Sequence, residues 1–200
     1  WFLVNGASVG NIAAICATAT DGDPILVGRG SHRSVYAGFA LSGARPVYLE
    51  AQRNPGLDGL FGIAPEAVEE ALHRNRQIRA VHITSPSYYG FTVDVDAISH
   101  VAAAAGVPLI VDEAHGSHFA FHPHFPRPAL AEGVDVVVHS PHKTLGSLTQ
   151  SSMIHHQGHL IDAARLDAQL QMLQSSSPSS LLLVSLDAAL HDMGRNGRQK

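Results

Sequence analysis

The sequence predicts an α/β fold: a mainly parallel sheet with helices on both faces. Short apolar runs alternate with helical patterns along the chain. Several runs, such as "PILVG", "PLIV" and "VDVVV", are almost continuously apolar, the pattern of strands covered on both sides rather than one. Strand–helix alternation of this kind supplies the crossovers that make neighbouring strands parallel.

Each element has its own warrant. "WFLVN" reads as a short strand that turns at Gly6. "SVGNIAAICATA" follows as a helix, with Ser8 placed to cap it. "PILVGR" is a strand, and "HRSVYAGFALSG" is a helix ended by Gly43. "ARPVYLE" is a strand, and "APEAVEEALHRN" is a helix with Pro65 in its first turn. "IRAVHITSP" is a strand and "DVDAISHVAAAAG" a helix. "VPLIVDEAHG" is a buried strand running into a loop, and "VDVVVHS" is another. "QSSMIHHQ" reads as a strand, "LIDAARLDAQLQML" as a helix, and a last helix covers Ser179 to Met193. "SSSPSS" connects the final two helices.

The bulk numbers bound the function. Two hundred residues make one sizeable domain, able to bury roughly 70% of its unfolded surface. A net charge of -4 and the lack of a basic stripe argue against a nucleic-acid partner. One cysteine, Cys16, excludes an internal disulfide framework and reads as a small core residue. No leader or long apolar span is visible, so the expectation is a cytoplasmic protein with no membrane partner. The chain opens without methionine inside an apolar run and stops at "GRNGRQK". It is expected to be part of something longer.

In such sheets ligands bind beyond the carboxyl ends of the strands. That rule selects five segments: Asn5–Ser8, Gly30–His32, Thr84–Tyr89, Asp112–His115 and Ser140–Lys143. Asp112 ends a buried strand, where a carboxylate is costly unless a cation meets it; it serves either as a turn cap or as that cation's partner. Ala114 and Gly116 are small enough to let a flat group approach the backbone, and His115 and His118 are packing or hydrogen-bonding residues. Lys143 is one of only two lysines; eleven of the thirteen basic residues are arginine. It is either a surface lysine or a desolvated amine nucleophilic toward carbonyls, with Ser140 and His142 beside it. "NGASVGN" is either an ordinary helix start or an anion cradle at the positive end of a helix.

One ligand uses all three handles: an anion for the helix start, a ring cation for Asp112 and an aldehyde for Lys143. Pyridoxal 5'-phosphate has them. A metal centre is the first rival, because the chain has 14 His and "HGSHFAFHPH" holds four; but that segment lacks the helical spacing of a zinc site and the cysteine lies far away. A serine hydrolase is the second, and no GxSxG elbow is present.

The words "DEAHGSHF", "HSPHKTLGSLTQSS", "GSHRSVYAGFALSGARPVYL" and "TSPSYYG" together resemble the major domain of the Orn/Lys/Arg decarboxylases, pyridoxal-phosphate enzymes of the aspartate-aminotransferase fold, from about Asn5 to His156. "DEAH" is also a helicase word, but the phosphate-binding GKS/T element that should precede it is missing. The resemblance implies a seven-stranded sheet with "SSMIHH" antiparallel. It makes residues 1–200 a partial cofactor-binding major domain without the smaller C-terminal domain. Lys143 would hold the cofactor's aldehyde carbon, Asp112 would bind the ring nitrogen, Ala114 would pack under the ring and His32 would stack on its other face. Ala7, Ser8, Ser140 and His142 would hold the phosphate, Ser85 or Ser87 would lie near the ring hydroxyl, and His115 would join the cofactor-binding set. The catalytic set is then Lys143, His32, Asp112 and His142, with His142 or Lys143 returning a proton to the substrate. The implied reaction is decarboxylation of lysine, ornithine or arginine by a homodimer or larger assembly, with sites near the subunit interface. A catalytically deficient cofactor-binding fragment, an aminotransferase and an aldolase remain alternatives.

Overall fold

Seven strands form one sheet in the order β1-β7-β6-β5-β4-β2-β3. They are β1 (Phe2–Leu3), β2 (Pro24–Gly28), β3 (Arg45–Leu49), β4 (Ala80–Thr84), β5 (Leu109–Asp112), β6 (Val136–His139) and β7 (Ser152–His156). The computed structural model describes residues 1–51 and 62–199. The five strands from β3 to β6 pair in parallel. β7 runs antiparallel to both β6 and β1, so the sheet is mostly parallel and the antiparallel member is the strand the sequence singled out.

Helices cover both faces, and alternate strand residues divide between them. Ile25, Val27, Ile110, Val136 and Val138 face one core, shared with α1 (Ala7–Thr18), α2 (Arg33–Ser42) and α6 (Ala163–Leu173). Leu26, Leu109, Val111 and Val137 face the other, shared with α3 (Pro65–Arg74) and α4 (Val95–Ala104). This period-two division is what continuous apolar runs must do once both faces are dry. A one-turn helix, α5 (Pro141–Thr144), follows β6, and α7 (Ser180–Asn196) closes the described chain. Among the described residues no helix is long and apolar enough to cross a membrane.

Two details depart from expectation. Ser8 does not cap α1: the helix begins one residue earlier, and its N-cap is Gly6, with φ of 83° and no side-chain cap bond. That positive φ, open to glycine, swings the chain off β1 and moves the first turn forward. β1 itself is only two residues long. Gly43 does end α2, in the left-handed conformation with φ of 74°.

Gly10 decides where α1 lies. A Cβ there would stand 3.0 Å from Val138 Cγ1 and 3.2 Å from Leu3 Cδ1. A side chain at this position would push the helix off the sheet; without one, the helix start settles beside the end of β6.

Candidate functional site

A cavity of about 410 Å³ opens at the carboxyl ends of β4, β5 and β6. All five segments selected from the sequence contribute to its wall. Thr84, Asp112 and Ser140 come from the strand ends, Ala7 and Ser8 from the first turn of α1, and Gly30 and His32 from the entry to α2. Tyr88, Ala114, His115, His142 and Lys143 complete the predicted contributors.

Asp112 is 3% exposed. Its Oδ1 accepts the Ala114 N–H at 3.1 Å, and its Oδ2 accepts the Asn11 amide at 2.8 Å. Neither hydrogen-bond partner is charged. Asn11 also donates to Ser34 Oγ at 3.1 Å, and that oxygen lies 2.8 Å from His32 Nδ1. Because His32 Nδ1 also accepts the Ser34 N–H, its proton sits on Nε2. One polar chain therefore runs from His32 through Ser34 and Asn11 to Asp112. Such a chain locks ring orientation and carboxylate together.

Lys143 sits on α5, one turn past the buried Ser140. Its Nζ is 3.4 Å from His115 Nε2. Burial, then the charges of Lys143 and His32, push the His115 imidazole below its usual value, against the pull of Asp112. A neutral His115 thus offers Nε2 to the ammonium. Of the two sequence readings of Lys143, surface lysine or desolvated amine, the structure shows the exposed one, because the one-turn helix sets it at the cavity mouth rather than in the sheet. His142 Nδ1 lies 2.8 Å from the Ser151 carbonyl. A carbonyl only accepts, so Nδ1 donates and a neutral His142 keeps Nε2 free for the cavity.

Four buried polar atoms of the wall have no hydrogen-bond partner among the described residues: Ser140 Oγ, Thr84 Oγ1, Asn11 Oδ1 and His115 Nδ1. Buried polar atoms are paired as a rule, and four orphans around one cavity mark a place shaped for a polar ligand. Ala7 and Ser8, which begin α1, line the same cavity, and the start of a helix favours an anion.

Ser85 and Ser87 are not part of this wall. Ser85 Oγ accepts the Val93 N–H at 3.3 Å, and Ser87 Oγ accepts the Phe91 N–H at 3.2 Å. Both hydroxyls are spent on shaping the loop, and Thr84 is the hydroxyl at that edge. Sequence reasoning placed Thr84 only within the rim segment Thr84–Tyr89, and it missed Asn11, Ser34 and Gln150. Asn11 carried a signal: it is an amide on a helix whose other inward residues are small or apolar.

Glu113 points to the opposite face of the sheet from Asp112. It is 2% exposed, accepts the Ala129 N–H at 3.0 Å and meets His139 Nε2 at 2.7 Å. His139 Nδ1 in turn lies 3.1 Å from His155 Nε2. This row ties β5, β6 and β7 together behind the cavity.

A larger cavity of about 550 Å³ adjoins at Thr144 and Leu145, lined by His118, His122, His124 and Phe125 among others. It lacks the carboxylate and amine that give the smaller one its chemistry. His118 packs edge-on against Phe119 and Phe125, and among the described residues no group of histidine, cysteine and carboxylate side chains converges to hold a metal.

A family model described as Orn/Lys/Arg decarboxylase, major domain, matches residues 1–200. A Bacillus subtilis (strain 168) protein named YaaO is 41% identical over 190 residues, covering 94% of this chain and 40% of its own length. An arginine decarboxylase of Halalkalibacterium halodurans is 37% identical over 198 residues, 99% of this chain and 40% of its own. The chain thus spans about two-fifths of the curated relatives it matches. The solved structure of lysine decarboxylase A from Pseudomonas aeruginosa superposes with a TM-score of 0.80 at 27% identity, over 96% of this chain and 29% of that one.

Proposed function

The chain belongs to the Orn/Lys/Arg decarboxylase family, and on that premise we propose that the cavity holds pyridoxal 5'-phosphate and that the whole protein decarboxylates a basic amino acid. The observation that carries this is the convergence of Lys143, Asp112 and the unpartnered Ser140 hydroxyl on one wall. The residues fit the group: Asp112 for its ring nitrogen, Lys143 for its aldehyde, and Ser140, His142 Nε2, Ala7, Ser8 and the α1 start for its phosphate. His32 and Ala114 offer the two flanks of a flat ring.

Bound there, the cofactor supplies a sink for the electron pair left when the α-carboxylate departs as CO2. The chain's own residues do the rest. Asp112 gives a cationic ring nitrogen a charge-assisted hydrogen bond worth about 1.5–3 kcal/mol, and it favours the protonated form of that nitrogen. Asn11 and Ala114 hold its carboxylate in place while it does so. Ser34 fixes the His32 ring, and Ser151 fixes His142. Lys143 Nζ lies 3.4 Å from His115 Nε2 at the cavity mouth, and this pair would supply the proton that takes the place of the departed carboxylate on the substrate's α-carbon.

A homodimer or larger homo-oligomer belongs to the same reading. Exposed Met172 on α6 and exposed Leu181 and Val184 on α7 support it, as apolar side chains that burial between copies would cover. The small-molecule partner is lysine, ornithine or arginine. The partly buried single cysteine suits a reducing, cytoplasmic compartment.

The test is direct. The purified protein is mixed with pyridoxal 5'-phosphate and watched for a visible absorbance band, then offered lysine, ornithine and arginine with CO2 release as the readout. A band followed by CO2 from one of the three is expected. A colourless protein overturns the cofactor assignment, and formation of a keto acid without CO2 overturns the decarboxylase reading.

A further inference from the structure

Resting on that reading, the substrate brings a second cation at the far end of its side chain, and something must receive it. Among the described lining residues Asp112 is the one carboxylate, and both its oxygens already accept hydrogen bonds. The other ionisable side chains facing the cavity are Lys143, the imidazoles of His32, His115 and His142, and the phenol of Tyr88. A distal ammonium or guanidinium therefore meets no free carboxylate on this wall.

It does meet an aromatic ring. Tyr88 lines the cavity yet is 81% exposed. Its ring stands perpendicular to that of His115, with centroids 5.9 Å apart at 88°, and His115 is the residue in contact with Lys143 Nζ. Tyr88 thus lies one imidazole beyond the amine.

The ring is also pre-positioned. Ser87 N donates to Phe91 O at 2.8 Å and Gly90 N to Ser87 O at 2.9 Å, so the turn carrying Tyr88 is closed on itself. Tyr89 buttresses the ring edge-on at 5.4 Å. An aromatic side chain on a fixed turn loses little freedom on binding, because only two torsions must be held. The face of such a ring attracts ammonium and guanidinium groups alike.

We infer that Tyr88 is a specificity-determining residue, whose ring receives the distal cation of the basic amino acid. Among the described lining residues the cation is then met by an aromatic face rather than by a second carboxylate.

The experiment compares L-lysine with its uncharged counterpart L-norleucine in the cofactor-loaded protein. Cofactor uptake is first recorded by absorbance, and amino-acid affinity is then read from the shift of that band, with no turnover required. Tyr88→Phe keeps the ring and should preserve the lysine-to-norleucine preference. Tyr88→Leu should weaken lysine about 2- to 30-fold while leaving norleucine unchanged. An unaltered preference in Tyr88→Leu overturns the inference, as does an equal loss for both amino acids, which marks a structural role. Failure of the unmodified protein to take up cofactor overturns the site assignment itself, and is seen before any amino acid is added.

Discussion

Asn11 donates its side-chain amide to Oδ2 of Asp112 at 2.8 Å, joining the first helix to the end of the fifth strand 101 residues later. Among the described residues the hydrogen-bond donors to this carboxylate are the neutral Asn11 amide and the Ala114 N–H. Replacing Asn11 by Leu should destabilise the protein by about 1–3 kcal/mol, because a buried acceptor loses its donor. It should also weaken pyridoxal 5'-phosphate binding. Denaturant titration and a cofactor titration measure the two effects; no change in either would remove Asn11 from the site.

Ser140 gives the opposite pattern. Its hydroxyl is buried with no hydrogen-bond partner among the described residues, so Ser140→Ala should leave the cofactor-free protein within about 0.5 kcal/mol of its original stability. Affinity for the cofactor should fall about tenfold or more, the worth of a hydrogen bond to a charged group. A variant that unfolds early but binds normally would contradict this.

Lys143→Ala should abolish covalent attachment. After borohydride reduction, mass analysis of the unmodified protein should show one cofactor adduct on the peptide containing Lys143. The variant should show none, and an adduct of the same yield would reassign the nucleophile.

Stability should fall as pH drops below neutral. Burial holds the His82 imidazole down at about 4, and burial with the charge of His139 holds His155 at about 3. Both folded values lie below that of an unfolded histidine, so the unfolded chain binds more protons in between. Their stabilising contribution is complete above about pH 6.5 and is lost as pH falls toward 4, at up to about 1.4 kcal/mol per pH unit for each. His82→Leu should flatten the slope of the unfolding midpoint between pH 7 and 5. An unchanged slope would mean that His82 does not titrate on unfolding.

Gly116→Ala should cost about 1–3 kcal/mol by overpacking. A Cβ there would stand 2.6 Å from Glu113 Cγ and 3.0 Å from both Phe119 Cε2 and Pro86 Cδ. Thermal denaturation gives the measurement, and a wild-type midpoint would show that the loop can yield.

The fold was legible because apolar runs covered on both faces leave an unambiguous trace, as in Val136–His139 and Leu109–Asp112. The rim segments followed from strand direction alone. What escaped were contacts made across long sequence separations. Asn11 reads as a helix residue until β5 is laid beside it, and Ser34 becomes a relay only through Asn11. Ser85 and Ser87 misled for a related reason: hydroxyls near a strand end serve either a ligand or their own loop, and residue type does not separate the two. Exposure of Lys143 likewise depends on how a single helical turn leaves β6, which periodicity does not encode.

Asp112 and Glu113 are adjacent carboxylates on opposite faces of the sheet, one at the cavity and one against His139. Sliding β5 by a single position would exchange them, sending the longer acid toward the ligand and stranding the shorter one short of its imidazole. A one-residue insertion or deletion in Leu109–Asp112 would therefore fail twice over. Strand pairing in this protein acts as a quality check on which acid reaches the chemistry.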